Sequence, residues 1–264
     1  MYRNNLIFTF SKFENKSEVG VYKKKRSREL IPCEEIDIAN PKSKLIVRKF
    51  LDWLILNKMD QIYDFNTRNG YLHNISVRNN LDDEFLLEIY LHDNDKINFF
   101  NEEIKKFPYD KYGIISVYIQ IYKDHHDFRN NFFKIYGDDY LRYTFDNKII
   151  SIYPGAFFQT NNSVLFDMYR DIVKIIDKKS KILLDLYCGV GVMSILVNNY
   201  YQKCYGIEIN ENSVRMANIN IEQNKIKNCK FINSPVENIL NNLVVELSEE
   251  VTIFINPPRS GLKE

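Results

Sequence analysis

The chain has 264 residues, 45% hydrophobic and 27% charged, which is enough apolar sequence for two modest domains. A net charge of +1 excludes a globally basic surface, and no apolar run approaches the roughly 18 residues of a membrane span. The four cysteines form no CxxC pair, which excludes the usual zinc and iron–sulfur spacings. With reduced thiols and no signal-peptide pattern at the start, we expect a cytoplasmic protein without a metal or membrane contact.

The first region, residues 1–149, has the pattern of an α+β domain built on an antiparallel sheet. Runs rich in β-branched and aromatic residues predict strands at 7–10, 19–22, 72–77, 85–91 and 114–122. Apolar residues at helical spacing predict helices at 44–57 and 97–106. Polar residues 79–83 indicate a hairpin loop between two of the strands.

The densest charge in this region is the run 23–28, which holds five cations in six residues. Such a run can bind the phosphates of a nucleic acid. The alternative is a solvated hairpin edge, where lysines prevent pairing with another sheet edge. Charge alone favours the solvated hairpin edge over phosphate binding.

The second region, residues 150–264, alternates strands with helices, which predicts a parallel, doubly wound, Rossmann-like α/β sheet. The expected strands are 181–186, 204–209, 230–232 and 251–255, and the expected helices are 161–176, 191–200, 211–224 and 235–243. The last strand is a continuous apolar run, which is typical of a strand that is buried on both faces.

A glycine-rich turn follows the first strand of this sheet. Asp185 ends the strand, and Gly189 and Gly191 let the backbone pass close to a ligand. Glu208 follows the next strand, where a carboxylate can accept both hydroxyls of a ribose. The third glycine of a dinucleotide fingerprint is missing, and Asp185 repels a pyrophosphate but suits a sulfonium or ammonium. The pattern favours S-adenosylmethionine (SAM) over NAD, with a purely structural turn as the alternative.

Two further segments lie where a ligand of this sheet would bind. Asn256 begins an Asn-Pro-Pro run after the last strand, at the carboxyl edge that faces the ligand crevice, although such a run also serves as a stiff turn. Gln159 precedes a helix and offers either a hydrogen bond to a polar ligand end or a helix cap. The neighbouring Phe157 and Phe158 either cover an adenine or fill the core.

Four motifs in order, AFFQTN at 156–161, DLYCGVG at 185–191, GIEIN at 206–210 and NPPRSGL at 256–262, resemble the RNA 5-methyluridine (uracil-C5) methyltransferases. The resemblance is strong over 150–262 and weaker across the first region, which would correspond to the family's RNA-contacting domain. It implies a SAM-dependent methyltransferase whose partner is tRNA or ribosomal RNA. The implied SAM contacts are Gln159, Tyr187, Glu208 and Asn256. Gly189 and Gly191 would form the loop beneath the cofactor.

The chain departs from this family in two respects. Some members hold an iron–sulfur cluster through four cysteines, but Ile36 stands at the last of these positions, so no cluster is expected. The family's cysteine nucleophile adds to C6 of uracil, and a glutamate removes the C5 proton. Both are expected beyond Glu264, so we assign no catalytic residue and expect no methyl transfer from these 264 residues alone.

Two other functions stay open. Asn256 and the two prolines also suit a methyltransferase for exocyclic amines, although Arg259 stands where such enzymes usually carry an aromatic residue. The third possibility is a non-catalytic remnant that binds SAM or RNA.

Overall fold

The computed structural model describes residues 3–13, 16–23, 29–93, 97–122, 132–176, 180–239 and 250–257. The chain forms two compact units, Met1–Leu141 and Arg142–Glu264. This division lies a few residues before the boundary that we expected at 149/150. Most of the basic run, residues 24–28, and the segment 258–264 with Arg259 lie outside the described residues.

Within the described residues, the first unit contains a seven-stranded sheet in the order β3-β2-β1-β4-β5-β6-β7. The strands are β1 (Asn5–Phe13), β2 (Lys16–Tyr22), β3 (Leu30–Pro32), β4 (Leu72–Asn79), β5 (Phe85–His92), β6 (Ile114–Tyr122) and β7 (Phe132–Gly137). The strands pair in antiparallel fashion apart from β5 and β6, which are parallel. The sequence predicted an antiparallel sheet. The difference arises because the β5–β6 connection contains a helix, α2 (Ile97–Glu103), which returns the chain to the same end of the sheet.

The core of the first unit lies against helix α1 (Pro41–Leu56). Asn40 caps this helix by accepting a hydrogen bond from the backbone N–H of Lys42, and Pro41 sits in the first turn, where no N–H is needed. One face of α1 is buried, and Phe50 at its centre contacts the ring of Phe107 edge-on, with centroids 5.3 Å apart. Neither α1 nor any other described helix is long and apolar enough to cross a membrane.

The second unit confirms the predicted alternation of strands and helices. Its described elements are the hairpin β8 (Leu141–Phe145) and β9 (Lys148–Ile152), then α3 (Asn162–Ile175), β10 (Ile182–Leu186), α4 (Val192–Val197), β11 (Lys203–Glu208), α5 (Glu211–Gln223), β12 (Cys229–Asn233) and β13 (Val251–Ile255). Residues 236–239 are also helical. The four later strands form a parallel sheet in the order β12-β11-β10-β13.

Strand β13 lies at one edge of this sheet as described, paired with β10. Ile253 and Ile255 are 47% and 46% exposed. Burial of this strand on both faces, which the apolar run predicted, is therefore not found in the described part of the chain.

Helix α5 and its C-cap residue, Asn224, hold strand β9 through side-chain amides rather than through another strand. Asn224 bonds to the backbone N–H and carbonyl of Ile149, at 2.8 and 2.6 Å. Asn220, one helical turn earlier, makes the same pair of bonds to Ser151, at 2.8 and 3.1 Å. Four helical residues rise about 6 Å and two strand residues about 6.6 Å, so the two spacings match.

Candidate cofactor-binding site

The parallel strands of the second unit bring their carboxyl ends to one edge of the sheet. Leu186 on β10 lies opposite Ile207 on β11 and opposite Ile255 on β13. The residues that follow these three therefore lie in one row along that edge: Tyr187, Glu208 and Asn256. Strand order reverses at β10, because β11 lies on one side and β13 on the other. Ligands of doubly wound sheets bind in the crevice at such a reversal.

The loop from β10 to α4 contains three residues in the left-handed backbone region. Tyr187, Gly189 and Gly191 have φ angles of 61°, 55° and 80°. Glycine adopts this region without cost, but a residue with a Cβ pays roughly 1–2 kcal/mol. The sequence indicated the two glycines, whereas the strained conformation of Tyr187 was not expected. Strain of this kind concentrates at functional sites.

The two glycines of this loop face different surroundings. A Cβ on Gly191 would lie 2.5 Å from Phe231 Cζ and 3.2 Å from Ala217 Cβ, so this glycine permits close packing inside the unit. A Cβ on Gly189 would have no atom within 4 Å. Gly189 therefore borders open space at the strand ends, where a ligand can approach the backbone.

Glu208 joins this loop to the next one. Its Oε2 accepts a hydrogen bond from the Gly189 N–H at 3.0 Å, and its Oε1 accepts one from the Asn210 N–H at 2.8 Å. These bonds fix the carboxylate at the end of β11. A carboxylate offers about four acceptor positions, so lone pairs remain for the hydroxyls of a ligand.

Asp185 is buried beneath the loop, where it caps helix α4. Its Oδ2 accepts hydrogen bonds from the N–H of Ser194 at 3.1 Å and from its hydroxyl at 2.7 Å. Gly191, at the N-cap position, has no side chain for this task. Burial, with a smaller contribution from nearby Glu208, raises the pKa of Asp185 to about 6 against the opposing effect of the Ser194 hydrogen bonds. The carboxyl thus contacts the helix, a role that sequence did not indicate.

Cys188 lies in the same loop but has the wrong character for a nucleophile. Burial raises the pKa of its thiol well above the ordinary value, and the carboxylates of Asp185 and Glu208 raise it further. A nucleophilic cysteine needs a thiolate, which positive neighbours favour and negative ones oppose. We therefore assign Cys188 to the loop and not to catalysis.

The segment upstream of α3 separates its two phenylalanines. Phe158 is buried and packs on Tyr143 with ring centroids 4.5 Å apart, whereas Phe157 is 73% exposed. Gln159 is half-buried, and the cap of α3 is Asn161, which accepts from the Val164 N–H at 3.3 Å. Phe158 thus fills core, and Gln159 is not the cap of this helix.

The sequence did not predict two residues that position the Asp185 carboxylate and the glycine loop. Ser194 donates to the Asp185 carboxylate, and the fully buried Asn220 donates to the carbonyl of Val190 in the glycine loop at 3.2 Å. Ser194 is the one polar residue of α4, and Asn220 is one of several polar residues of α5, so neither is marked by a local motif. Within the described ranges, no group of three or more His, Cys, Asp or Glu side chains is placed to hold a metal ion.

Comparison with known protein families identifies the family of this chain. The model of the tRNA (Uracil-5-)-methyltransferase family matches residues 21–264. The chain belongs to this family. A protein of Fusobacterium nucleatum named as an uncharacterized RNA methyltransferase is 29% identical over 99% of the chain. A protein of Acanthamoeba polyphaga mimivirus named as a putative RNA methyltransferase is 33% identical over 63% of the chain.

Among solved structures, the tRNA (uracil-54, C5)-methyltransferase of Pyrococcus abyssi, in complex with S-adenosyl-L-homocysteine, matches with a TM-score of 0.71. The match covers 99% of this chain and 61% of that one at 18% identity, which shows that the chain has the family's Rossmann-like fold. The chain spans 57% of the length of the Fusobacterium relative and 43% of the mimivirus one.

Proposed function

We propose that the second unit binds SAM at the carboxyl ends of β10, β11 and β13. The observation that carries this proposal is the Glu208 carboxylate, which two backbone N–H groups hold beside the open space at Gly189. In this position Glu208 would accept the ribose hydroxyls of the cofactor. SAM, when bound, supplies the methyl group.

Charge supports SAM over a dinucleotide. A pyrophosphate needs free N–H groups at a helix N-terminus, but Asp185 already occupies the Ser194 N–H in the first turn of α4. The buried carboxyl also adds negative charge beneath the loop when it is ionised. Such a site repels phosphate and attracts the sulfonium and ammonium groups of SAM.

The remaining positions of the row complete the proposed site. Tyr187 and Asn256 lie at the ends of β10 and β13, and we assign both, with Gln159, to cofactor binding. Gly189 and Gly191 form the loop beneath, and Asp185 acts on the cofactor through α4 and its charge.

We further propose that the chain is part of a cytoplasmic enzyme that methylates C5 of uridine in tRNA or ribosomal RNA. Membership of the tRNA (uracil-5-)-methyltransferase family supports uridine C5 over the exocyclic amine that an Asn-Pro-Pro run alone would also suit. A target uridine must be unpaired or flipped out of its stack to reach a crevice of this kind.

The test is calorimetric titration of the 264-residue chain with S-adenosylhomocysteine. We expect Glu208→Ala to weaken binding by more than about tenfold, or 1.4 kcal/mol. Glu222→Ala, which removes an exposed carboxylate at the far end of α5, serves as the matched control and should bind like the unchanged chain. A folded chain that binds no S-adenosylhomocysteine, or equal binding by both variants, contradicts the proposed site.

A further inference from the structure

The first unit has a cavity of its own, with a volume of about 750 Å³. Strands β1 and β4 form one wall, and the segment 61–70 forms the other. Its volume lies within the roughly 300–1,000 Å³ of pockets that hold small ligands. Nothing in the proposed cofactor site uses this cavity.

One side of the cavity presents aromatic rings. Phe65 is 55% exposed, and its ring is held edge-on by Tyr63 and by His73, with centroids 5.2 and 5.4 Å away. Tyr63 in turn stacks on His92, with centroids 3.6 Å apart and planes 15° from parallel. A supported ring that stays half exposed is suited to stack a nucleobase, because every base offers a π-face.

Amide groups supply the polar part of the lining. Asn66, Asn69 and Asn74 all border the cavity, and amides can pair with the hydrogen-bonding edge of a base. Among the described residues, the buried Oδ1 atom of Asn74 has no hydrogen-bond partner. Because this atom is buried, the exposed amides of Asn66 and Asn69 are the ones that a base in the cavity can reach.

The charges at the cavity also suit a nucleotide. Lys12 lines it and is exposed, so its ammonium can reach a phosphate. Asp64 is the opposing charge, but its Oδ1 accepts hydrogen bonds from the N–H groups of Asn66 and Thr67, at 2.7 and 3.0 Å. This carboxylate therefore serves to fold the segment that carries Phe65.

We propose that this cavity binds one unpaired nucleotide of the RNA substrate, with its base stacked on Phe65 and its phosphate near Lys12. The inference rests on the proposed function in one respect, namely that RNA is the substrate. It adds a contact that holds single-stranded RNA on the first unit, separate from the uridine that receives the methyl group.

The test measures binding of a fluorescein-labelled 12-nucleotide oligouridine to the 264-residue chain by fluorescence anisotropy. We expect Phe65→Ala to raise the dissociation constant at least fivefold, while Phe65→Trp, which keeps a stacking face, stays within twofold of the unchanged chain. Phe99→Ala is the matched control, since Phe99 is 61% exposed on α2 of the same unit and does not line the cavity. Lys12→Gln should make the salt dependence shallower by about 0.7 in the log–log slope.

Equal binding by the Phe65→Ala and unchanged chains overturns the proposal, as does an equal loss in Phe99→Ala or an equal loss with a fully paired RNA duplex. Titration with S-adenosylhomocysteine separates this result from the cofactor site. Phe65→Ala should leave that titration unchanged, and failure of the unchanged chain to bind S-adenosylhomocysteine would count against the cofactor site alone.

Discussion

The two units hold their loops in different ways. In the first unit a side chain fixes the loop that it belongs to: Asn80 Oδ1 accepts from the N–H groups of Asp82 and Glu84, both at 3.0 Å. In the second unit the glycine loop is held by residues from distant elements, namely Glu208 on β11 and Asn220 on α5.

This difference has a consequence for mutation. A locally fixed loop loses only its own shape when its side chain is removed. A loop held from several elements couples its shape to the packing of the whole unit, so the cofactor site should respond to changes far from it.

The largest effect is expected where a side chain intrudes on the packing of the second unit. Gly191→Ala would place a Cβ against Phe231 in a left-handed backbone conformation, and should lower the free energy of unfolding by about 4 kcal/mol. Urea denaturation followed by far-UV circular dichroism measures this. Gly189→Ala is the control, with a loss of about 1 kcal/mol from backbone strain alone. It should nevertheless weaken S-adenosylhomocysteine binding, because its Cβ enters the open space. Equal losses of stability would contradict the different surroundings of the two glycines.

Asn220→Leu should destabilise the second unit by about 3 kcal/mol, because it leaves buried backbone groups of Ser151 and Val190 without partners. Trp53 is the chain's single tryptophan and lies in the first unit, so its fluorescence reports that unit alone. We expect the circular-dichroism transition in urea to move and the fluorescence transition to stay.

The matched variant for this experiment is Asn218→Leu on the same helix. Its amide is half-buried and donates to Val214 within the helix, so a small change is expected. If the fluorescence transition shifts as far as the circular-dichroism transition in Asn220→Leu, the two units unfold together and the contrast fails.

Asp185→Asn should change how stability depends on pH. The pKa of Asp185 is about 6 in the folded chain and 3.8 as the ordinary value, so the folded state binds more protons between these pH values. Its contribution to stability is then fully present below about pH 4 and is lost as the pH rises through 6. Relative to Asp185→Asn, the unchanged chain should lose about 2 kcal/mol between pH 4 and pH 7, measured by urea denaturation at each pH. A constant difference across that range would mean that the carboxyl titrates normally.

The smallest effect is expected in the first unit. Asn80→Ala removes the acceptor for two backbone N–H groups of one loop and should cost about 1 kcal/mol in the Trp53 transition. Asp82→Ala, in the same loop with an exposed side chain, is the control and should be close to neutral. A reduced affinity of Asn80→Ala for S-adenosylhomocysteine would show that the first unit's loops are coupled to the second unit after all.

Much of the second unit could be read from local patterns. Short apolar strands alternate with helical periodicity, and the glycine pair and Glu208 stand at the strand ends that the doubly wound topology brings together. The cap from Asp185 and the role of Asn220 could not be predicted, because their partners lie 9 and 30 residues away. No sequence pattern marks the left-handed backbone of Tyr187. In the first unit, the three-residue strand β3 was missed because it is short, and β7 was not predicted either. The parallel pairing of β5 with β6 depends on the path of their connection, which the strand patterns do not show.

The side-chain amides of Asn220 and Asn224 also affect whether the chain can aggregate with other copies. A free strand edge is a template on which another chain can assemble, and β9 would offer one beside β8. Asn220 and Asn224 present a donor and an acceptor on one flat group, as a peptide unit does, so α5 stands in for the missing strand. Aspartate lacks the donor, and serine is too short to reach both groups. The amides at these two positions therefore protect against aggregation, and the amide of Asn220 also supports the glycine loop.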